Sequence, residues 1–181
     1  TLESLEAQID KTLQASGLQG RPSLVRIHVF RLGGANYLPE TREVSFVIEV
    51  SALEKTGFLA GEGPFVADLF RDYYLPADAL GRLPHHNRIP EVLASIYARE
   101  NDLHTCLLLN HKKEMAQGLH GNLFLRKGNL VRTPPLESGC GAGILRARLL
   151  LQDWGEAPFE LKEEKISPFD LQQADELFLL S

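Results

Sequence analysis

The sequence predicts an α+β fold, a mixed α/β arrangement of helices and strands. In some segments apolar residues recur at helical spacing, and in others they alternate with polar residues as they do along a strand. Turn signals rich in glycine and proline separate these segments, and some are short enough to join hairpins. A chain of 181 residues can bury one good core, or two small lobes sharing one. The mixture of helices and hairpins therefore favours an α+β class.

The first third of the chain predicts one helix followed by a hairpin. Residues 1–16 have apolar side chains every three or four positions, and Gly17 is a natural stop. Residues 23–31 and 44–50 both alternate between apolar and polar, with glycines and a proline between them. We expect these two segments to pair as antiparallel strands.

The rest of the chain predicts a larger lobe. Residues 57–64 form a glycine-bearing break, so we place a small lobe at 1–53, a linker at 54–63 and a larger lobe at 64–181. The irregular stretches are predicted at 76–90 and 133–143, a tight turn at 127–129, and a solvated edge strand and loop at 160–165. The remaining predicted elements are strands at 65–74, 105–109, 122–126 and 177–180, and helices at 90–101, at 144–152 and from Ser167.

Composition excludes several classes of protein. A net charge of -5 without a basic stripe argues against nucleic-acid binding, which needs clustered Lys and Arg. No apolar run approaches the roughly 20 residues that span a bilayer, and no secretory leader is visible. Cys106 and Cys140 stand in unrelated contexts, which predicts reduced, buried thiols and no metal site. We therefore expect a cytoplasmic protein.

Ten short segments form a pattern in fixed order along the chain. They are Val25–Ile27, Gly33–Gly34, Tyr37–Pro39, Val92–Ala94, Leu107–Asn110, Asn122–Phe124, Thr133–Leu136, Gly139, Gly143–Arg146 and Ala174–Phe178. In this order they resemble the class IV aminotransferases, a family that includes branched-chain aminotransferases, D-amino-acid aminotransferases and aminodeoxychorismate lyases. The resemblance implies the fold-type-IV architecture of pyridoxal phosphate (PLP) enzymes, with a small N-terminal and a larger C-terminal lobe. It also implies a PLP cofactor, an amino acid or phosphorylated compound as ligand, and a homodimer.

The resemblance covers nearly the whole chain, but members of the family extend further in both directions. They usually carry an N-terminal arginine that holds the cofactor phosphate, and a Thr-Asn-like turn after the last strand that contacts it again. Both lobes are therefore expected to be truncated. Either the sequence is trimmed, or half of the phosphate cradle is missing.

Three positions at which the family contacts its cofactor depart from the pattern. The lysine that forms the Schiff base with PLP falls at Pro84, which has no side-chain amine, and the nearest lysines are Lys55 and Lys112. Gln117 stands where the resemblance implies a glutamate facing the pyridine nitrogen, and an amide cannot stabilise a pyridinium by charge. Gly141 stands where a bulky aliphatic residue packs against the ring. The resemblance therefore predicts a site that has lost its Schiff-base chemistry.

The phosphate-binding end of the family's pocket is retained. Gly143, Ile144 and Leu145 open a predicted helix, and backbone N–H groups at a helix N-terminus bind phosphate with little demand on side chains. Such a glycine followed by a helix is also an ordinary cap. Both interpretations stay open at this stage.

Five further residues are candidates for a site. His85, His86 and His120 border the expected cleft, where a histidine could act as an acid or base; structural roles are the simpler interpretation. Arg26 and Arg31 on the first strand could bind a substrate carboxylate, or could simply cover the sheet.

Three hypotheses about function follow. The first is an aminotransferase or lyase using PLP on a small amino acid or an aminochorismate. The second is a binding or scaffold protein that keeps the fold and dimer interface without catalysis. The third is a PLP-free enzyme that uses His85, His86 or His120 in the same cleft.

Overall fold

The structure, a computed structural model, describes residues 1–34, 37–54 and 65–181. The chain divides into two compact units, Thr1–Glu62 and Gly63–Ser181. The predicted glycine-bearing break at 57–64 lies outside the described residues, and so does the predicted linker apart from Glu54.

The first unit consists of one helix and one hairpin. Helix α1 (Leu2–Ala15) begins at Thr1, whose hydroxyl accepts a hydrogen bond from the Ser4 N–H at 3.3 Å. Strand β1 (Ser23–Arg31) pairs antiparallel with β2 (Val44–Ala52). The helix and the hairpin predicted from the sequence are both confirmed, and β1 has the predicted bounds.

The second unit begins with a three-stranded sheet in the order β3-β4-β5. The elements are β3 (Ala67–Leu75), the short helix α2 (Ala79–Arg82), α3 (Ile89–Glu100), β4 (Thr105–Asn110) and β5 (Met115–Gly118). Strand β3 runs parallel to β4, as the crossover through α3 requires, and β5 is antiparallel to β4. Every residue of β4 is buried, so this strand lies at the centre of the unit.

A four-stranded sheet completes the second unit. Its strands are β6 (Asn122–Lys127), β7 (Leu130–Thr133), β8 (Glu160–Glu163) and β9 (Glu176–Leu180), in the order β8-β7-β6-β9. Helix α4 (Ile144–Leu151) follows a loop that contains one 3-10 turn, Leu136–Ser138. The charged segment beginning at Glu160 forms an edge strand, as predicted.

Strand β4 separates two hydrophobic cores. Cys106 and Leu108 face a cluster that includes Phe70 and Ala94, while Leu107 and Leu109 face the other, which includes Leu123. Alternate side chains of a strand point to opposite faces, so one continuous apolar strand supports both cores.

Some small elements differ from the prediction: β5, β7 and α2, each of four residues, were not predicted. The sequence did not predict β5, because four residues are too few to show alternation. It also did not predict α2 within the irregular stretch at 76–90; this helix is capped by Asp78, whose carboxylate accepts from the Leu80 N–H at 2.8 Å. The segment after Ser167 is a 3-10 helix, Pro168–Gln173, closed by a capping box between Ser167 and Asp170.

Both cysteines are buried and unpaired, as expected. Burial raises the pKa of the Cys106 and Cys140 thiols, which keeps them protonated. Among the described residues, no helix has the length and apolarity needed to cross a membrane.

Candidate functional site

Two side-chain amides hold the backbone of Gly141. The Gly141 N–H donates to Gln117 Oε1 at 2.9 Å, and Asn122 Nδ2 donates to the Gly141 carbonyl at 2.8 Å. Gln117 belongs to β5 and Asn122 begins β6, so the start of the second sheet is joined to the loop before α4. We call this arrangement the Gly141 clasp. It brings together two of the positions that the sequence singled out, Gln117 and Gly141, and adds Asn122, whose role the sequence did not predict.

Gly143 permits the clasp because the side chain of Asn122 approaches its backbone very closely. A Cβ at this position would collide with Asn122 Oδ1. The Gly143 N–H donates to the Gly141 carbonyl at 2.9 Å, which closes a tight turn directly before α4. Glycine is therefore required here for the close approach of Asn122, not for a left-handed backbone.

The loop is also fixed at its other end by Gly139. Gly139 has a φ of 83°, and its Cα and carbonyl lie against α2 at Gly81. A Cβ on Gly139 would collide with the carbonyl oxygen of Pro76. The segment that precedes Pro84 is therefore packed directly on the loop that carries Gly141.

A buried arginine anchors the same loop from α4. Arg146 is 3% exposed, donates to the Pro134 carbonyl at 2.8 Å and forms an ion pair with Glu163 of β8. In addition, the buried Thr133 hydroxyl donates to the Leu123 carbonyl at 2.8 Å. These contacts fix the path of the chain from β7 to α4.

Asn110 joins the loop to the turn between β4 and β5. It is fully buried; its Nδ2 donates to the Ser138 carbonyl and to Glu114, both at 3.1 Å. Its Oδ1 accepts from the N–H groups of Lys112 and Glu114, at 2.9 and 3.0 Å. A single amide thus satisfies backbone groups in two separate segments.

We expect Asn110→Ala to lower the free energy of unfolding by about 2–3 kcal/mol, since it leaves the Ser138 carbonyl and the turn N–H groups without their partner. Urea denaturation measures the loss. Asn87→Ala, at an exposed position, is the control and should change stability by less than about 0.5 kcal/mol. Equal stability of the two variants would show that the Asn110 bonds contribute nothing net.

Two acidic groups of the second unit, Glu114 and Asp170, are held in their charged form. The hydrogen bond from Lys165 to Glu114, 2.8 Å long, lowers the pKa of that carboxyl. Burial opposes the ionisation of Asp170, but hydrogen bonds from Ser167 and Arg132 outweigh it, so the pKa of Asp170 is lowered as well. Arg132 lies 2.9 Å from Asp170 and is only 13% exposed.

The lowered pKa of Asp170 predicts that part of the free energy of unfolding is lost in acid. This contribution is present above the pKa of about 3.9 that an aspartate has in the unfolded chain, and it is lost as pH falls through the lower folded value. We expect Asp170→Asn to reduce the difference in unfolding free energy between pH 6 and pH 3. Urea titrations at both pH values measure it, with Asp102→Asn at an exposed position as the control. An unchanged difference in Asp170→Asn would contradict the assignment.

The other candidate residues lie apart from the clasp contacts. Pro84 and His86 are exposed in the segment between α2 and α3; His85 is half-buried there, with a buried Nδ1 that has no described partner. His120 is exposed in the turn between β5 and β6. Within the described ranges, no group of three or more His, Cys, Asp or Glu residues is arranged to hold a metal ion.

Arg26 and Arg31 belong to the first unit. Both are exposed on β1, where Arg26 is paired across the hairpin with Glu49. Arg31 lines a shallow cavity of about 430 Å³ beside the turn at Gly33 and Gly34. Their role in binding a substrate stays a prediction.

The N-terminal end of α4 has no side-chain cap. Gly143 occupies the cap position, and Ile144 is 82% exposed. The first N–H groups of a helix have no partners within the helix. The N-terminal end of α4 therefore keeps the N–H donors and the positive end of the helix dipole on which the predicted phosphate binding depends. Leu145 follows on the half-buried side of the helix.

Three lysines of the second unit have hydrogen-bond or ion-pair partners outside the Gly141 clasp. Lys165 donates to Glu114 at 2.8 Å, Lys127 donates to Gln173 at 2.7 Å, and Lys162 lies 3.7 Å from Glu164. Lys112 and Lys113 lie in the turn between β4 and β5, and Lys55 is outside the described residues.

Comparison with known proteins identifies the family. The sequence profile of amino-transferase class IV matches residues 1–181, so the chain belongs to the class IV aminotransferase family. The fold-type-IV architecture predicted from the sequence is confirmed by the solved structures that share it.

Three relatives illustrate the similarity. A putative branched-chain-amino-acid aminotransferase of Methanocaldococcus jannaschii is 32% identical over 106 residues, which are 58% of this chain and 36% of that protein. Branched-chain aminotransferase from Thermobaculum terrenum, solved in its PLP form, superposes with a TM-score of 0.82 at 21% identity, over 97% of this chain and 57% of that one. A putative 4-amino-4-deoxychorismate lyase from Legionella pneumophila gives 0.79 at 17% identity, over 94% and 61%. The chain thus spans about a third of the curated relative and about 60% of the solved structures.

The residues at the clasp do not fit PLP held as a Schiff base. Gln117 Oε1 accepts a hydrogen bond from the Gly141 N–H, and a neutral amide carries no charge with which to stabilise a protonated ring nitrogen. Gly141 has no side chain to pack on a ring, and Pro84 has no amine. Of the family's cofactor-contact positions that the structure describes, the end of α4 keeps a suitable group, namely backbone N–H donors for a phosphate.

Proposed function

We propose that this chain is a non-catalytic member of the class IV aminotransferase family, a binding or scaffold domain that keeps the fold without Schiff-base chemistry. The observation that carries the proposal is the hydrogen bond between Gln117 and the Gly141 N–H. In the family's arrangement these two positions face a cofactor ring, whereas here they bond to each other.

The chemistry supports the proposal in two steps. An aminotransferase needs a lysine amine both to hold the cofactor aldehyde and to move the proton at the substrate carbon. It also needs a carboxylate that keeps the ring nitrogen charged. A neutral amide forfeits the charge-assisted bond, about 1.5–3 kcal/mol compared with about 1 kcal/mol for a neutral bond. Pro84 and Gln117 supply neither group.

The finer features of the proposal come from the family. We assign the domain a small ligand, either an amino acid or a phosphorylated compound, a homodimeric assembly and a cytoplasmic location. The histidine-based enzyme gains little support, since His86 and His120 are exposed and His85, although half-buried, has no described partner that would orient its ring as an acid or base.

The test is cofactor trapping. The purified protein is mixed with PLP, its absorption is recorded for the yellow internal aldimine, and borohydride reduction is followed by intact mass and peptide mapping. We expect no stoichiometric adduct at any single lysine, only scattered labelling of exposed lysines. One reduced adduct per chain at a unique lysine would refute the proposal.

A variant that restores the family's lysine and glutamate makes the absence of a PLP adduct in the wild type informative. We expect Pro84→Lys combined with Gln117→Glu to gain a trapped adduct at position 84 that the wild type lacks. Leu83→Lys with Gln117→Glu is the matched control, because it adds the same charges at the neighbouring exposed position. Equal trapping in both variants would show that position 84 has no special relation to the clasp.

A further inference from the structure

The second unit contains a cavity of about 490 Å³ on one face of the four-stranded sheet. Its floor is formed by side chains of all four strands, one wall is Leu149 of α4, and the other wall is the segment from Trp154 to Phe159. Small-molecule sites usually measure roughly 300–1,000 Å³ and are lined by apolar and aromatic groups with a few polar ones. Asn122 and Phe124 lie on the same face of β6, so the cavity begins beside the Gly141 clasp but involves none of its three residues.

Four aromatic rings line this cavity in two pairs. Phe178 lies on the floor and stacks with Phe124, which is only 1% exposed; the ring centroids are 5.2 Å apart and the angle between their planes is 9°. Trp154 and Phe159 form the wall at 5.1 Å and 58°. Trp154 is fixed in place because its indole N–H donates to the Leu149 carbonyl at 3.0 Å, at the end of α4. The rings are therefore already arranged for offset and edge contacts with a flat molecule.

The polar lining consists of Arg126 and Asn129, which stand where the cavity meets solvent. Arg126 is about half exposed; its Nε donates to the Gly128 carbonyl at 3.0 Å and one terminal nitrogen donates to Glu176 at 3.2 Å. A guanidinium has five N–H donors, so these two bonds orient the group while leaving donors for a further acceptor. Asn129, which is exposed, also lines the cavity.

We propose that this cavity binds a planar aromatic carboxylate, with the ring between the two aromatic pairs and the carboxylate at Arg126. Apolar walls with one oriented cation at the mouth match a ligand that has one flat apolar end and one anionic end. The site does not depend on PLP chemistry, so the proposed function and this inference can fail separately.

Trp154 is the only tryptophan of the chain, which gives the site its own reporter. The ¹H–¹⁵N spectrum of the full chain is recorded while trans-cinnamate is added, with the uncharged trans-cinnamamide as the comparison ligand. We expect cinnamate to move the single indole N–H peak saturably, with a dissociation constant of about 1 mM or below, the range for a ligand of about a dozen heavy atoms. Cinnamamide should bind about tenfold more weakly, the loss expected for one charge-assisted hydrogen bond.

Two variants test the two halves of the site. Arg126→Gln should reduce cinnamate affinity to that of cinnamamide, and Phe159→Leu should weaken both ligands while keeping an apolar wall. Arg148→Gln, at an exposed position of α4, should leave both affinities unchanged. Thermal unfolding of each variant checks that it is folded, and if one variant does not fold, the other still tests the proposal.

Any of four results would overturn the proposal: an indole peak that does not move, equal affinity for cinnamate and cinnamamide, unchanged cinnamate binding in Arg126→Gln, or unchanged binding of both ligands in Phe159→Leu. An indole peak that moves with protein concentration without ligand would also overturn it, because a second copy of the chain would then fill the cavity.

Discussion

Replacing Gly139 by alanine is expected to lower the free energy of unfolding by about 3 kcal/mol. Gly139 has a φ of 83°, where a Cβ alone costs an L-residue about 1 kcal/mol. The added Cβ would also collide with the carbonyl oxygen of Pro76, which belongs to the backbone leading into α2 and cannot rotate away. Urea denaturation with tryptophan fluorescence measures the loss. We further expect protection from hydrogen exchange to be lost first at α2, because this helix rests on Gly139.

Substitution of a second glycine separates the cost of backbone strain from the cost of a steric collision. Gly128 has a φ of 58° in the turn between β6 and β7, and a Cβ there meets no atom within 4 Å. Gly128→Ala should therefore cost only the conformational strain, about 1 kcal/mol. If both variants lose the same stability, the packing of Gly139 against Pro76 contributes nothing, and the rigid loop that supports the clasp would need another explanation.

The elements predicted correctly are those in which local pattern and tertiary environment agree. In strand β1 apolar and polar residues alternate from Val25 to Val29 and polar residues stand at both ends, so the bounds Ser23–Arg31 could be predicted from the sequence. Strand β5 and helix α2 have four residues each, and neither is long enough to show a period. Strand β5 forms because Gln117 and its neighbours pair with β4, a contact between segments that the sequence pattern does not encode.

The candidate site was predictable as a set of positions but not as a set of contacts. Spacing from the family motifs singled out Gln117 and Gly141, and it predicted that both would face a cofactor. The direct bond between them depends on where the loop before α4 passes over β5, and that path is set by the buried contacts of Asn110, Gly139 and Arg146. Asn122 was visible as part of a strand motif, but its bond to Gly141 could not be inferred from its position in the sequence.

The largest effect of a single polar side chain is expected at Arg146. Arg146→Met should lower the free energy of unfolding by about 3 kcal/mol, because it removes a charge-assisted hydrogen bond to the Pro134 carbonyl at a position that is 3% exposed. Methionine preserves most of the apolar stem, so the loss reports the polar contacts and not a cavity. Denaturation in urea gives the value, and Arg148→Met on the exposed side of the same helix should change stability by less than about 0.5 kcal/mol.

A substitution of Glu163, the ion-pair partner of Arg146, tests whether the hydrogen bond to the Pro134 carbonyl or the ion pair fixes the loop. The Glu163 side chain is 43% exposed, so water can solvate its charge when the arginine is removed, and the ion pair itself contributes little. Glu163→Gln should therefore cost less than about 1 kcal/mol, because an amide oxygen can still accept from Arg146. If Glu163→Gln costs as much as Arg146→Met, the ion pair and not the Pro134 carbonyl fixes the loop. In that case the position of Gly141 would depend on the charge that Glu163 carries on β8.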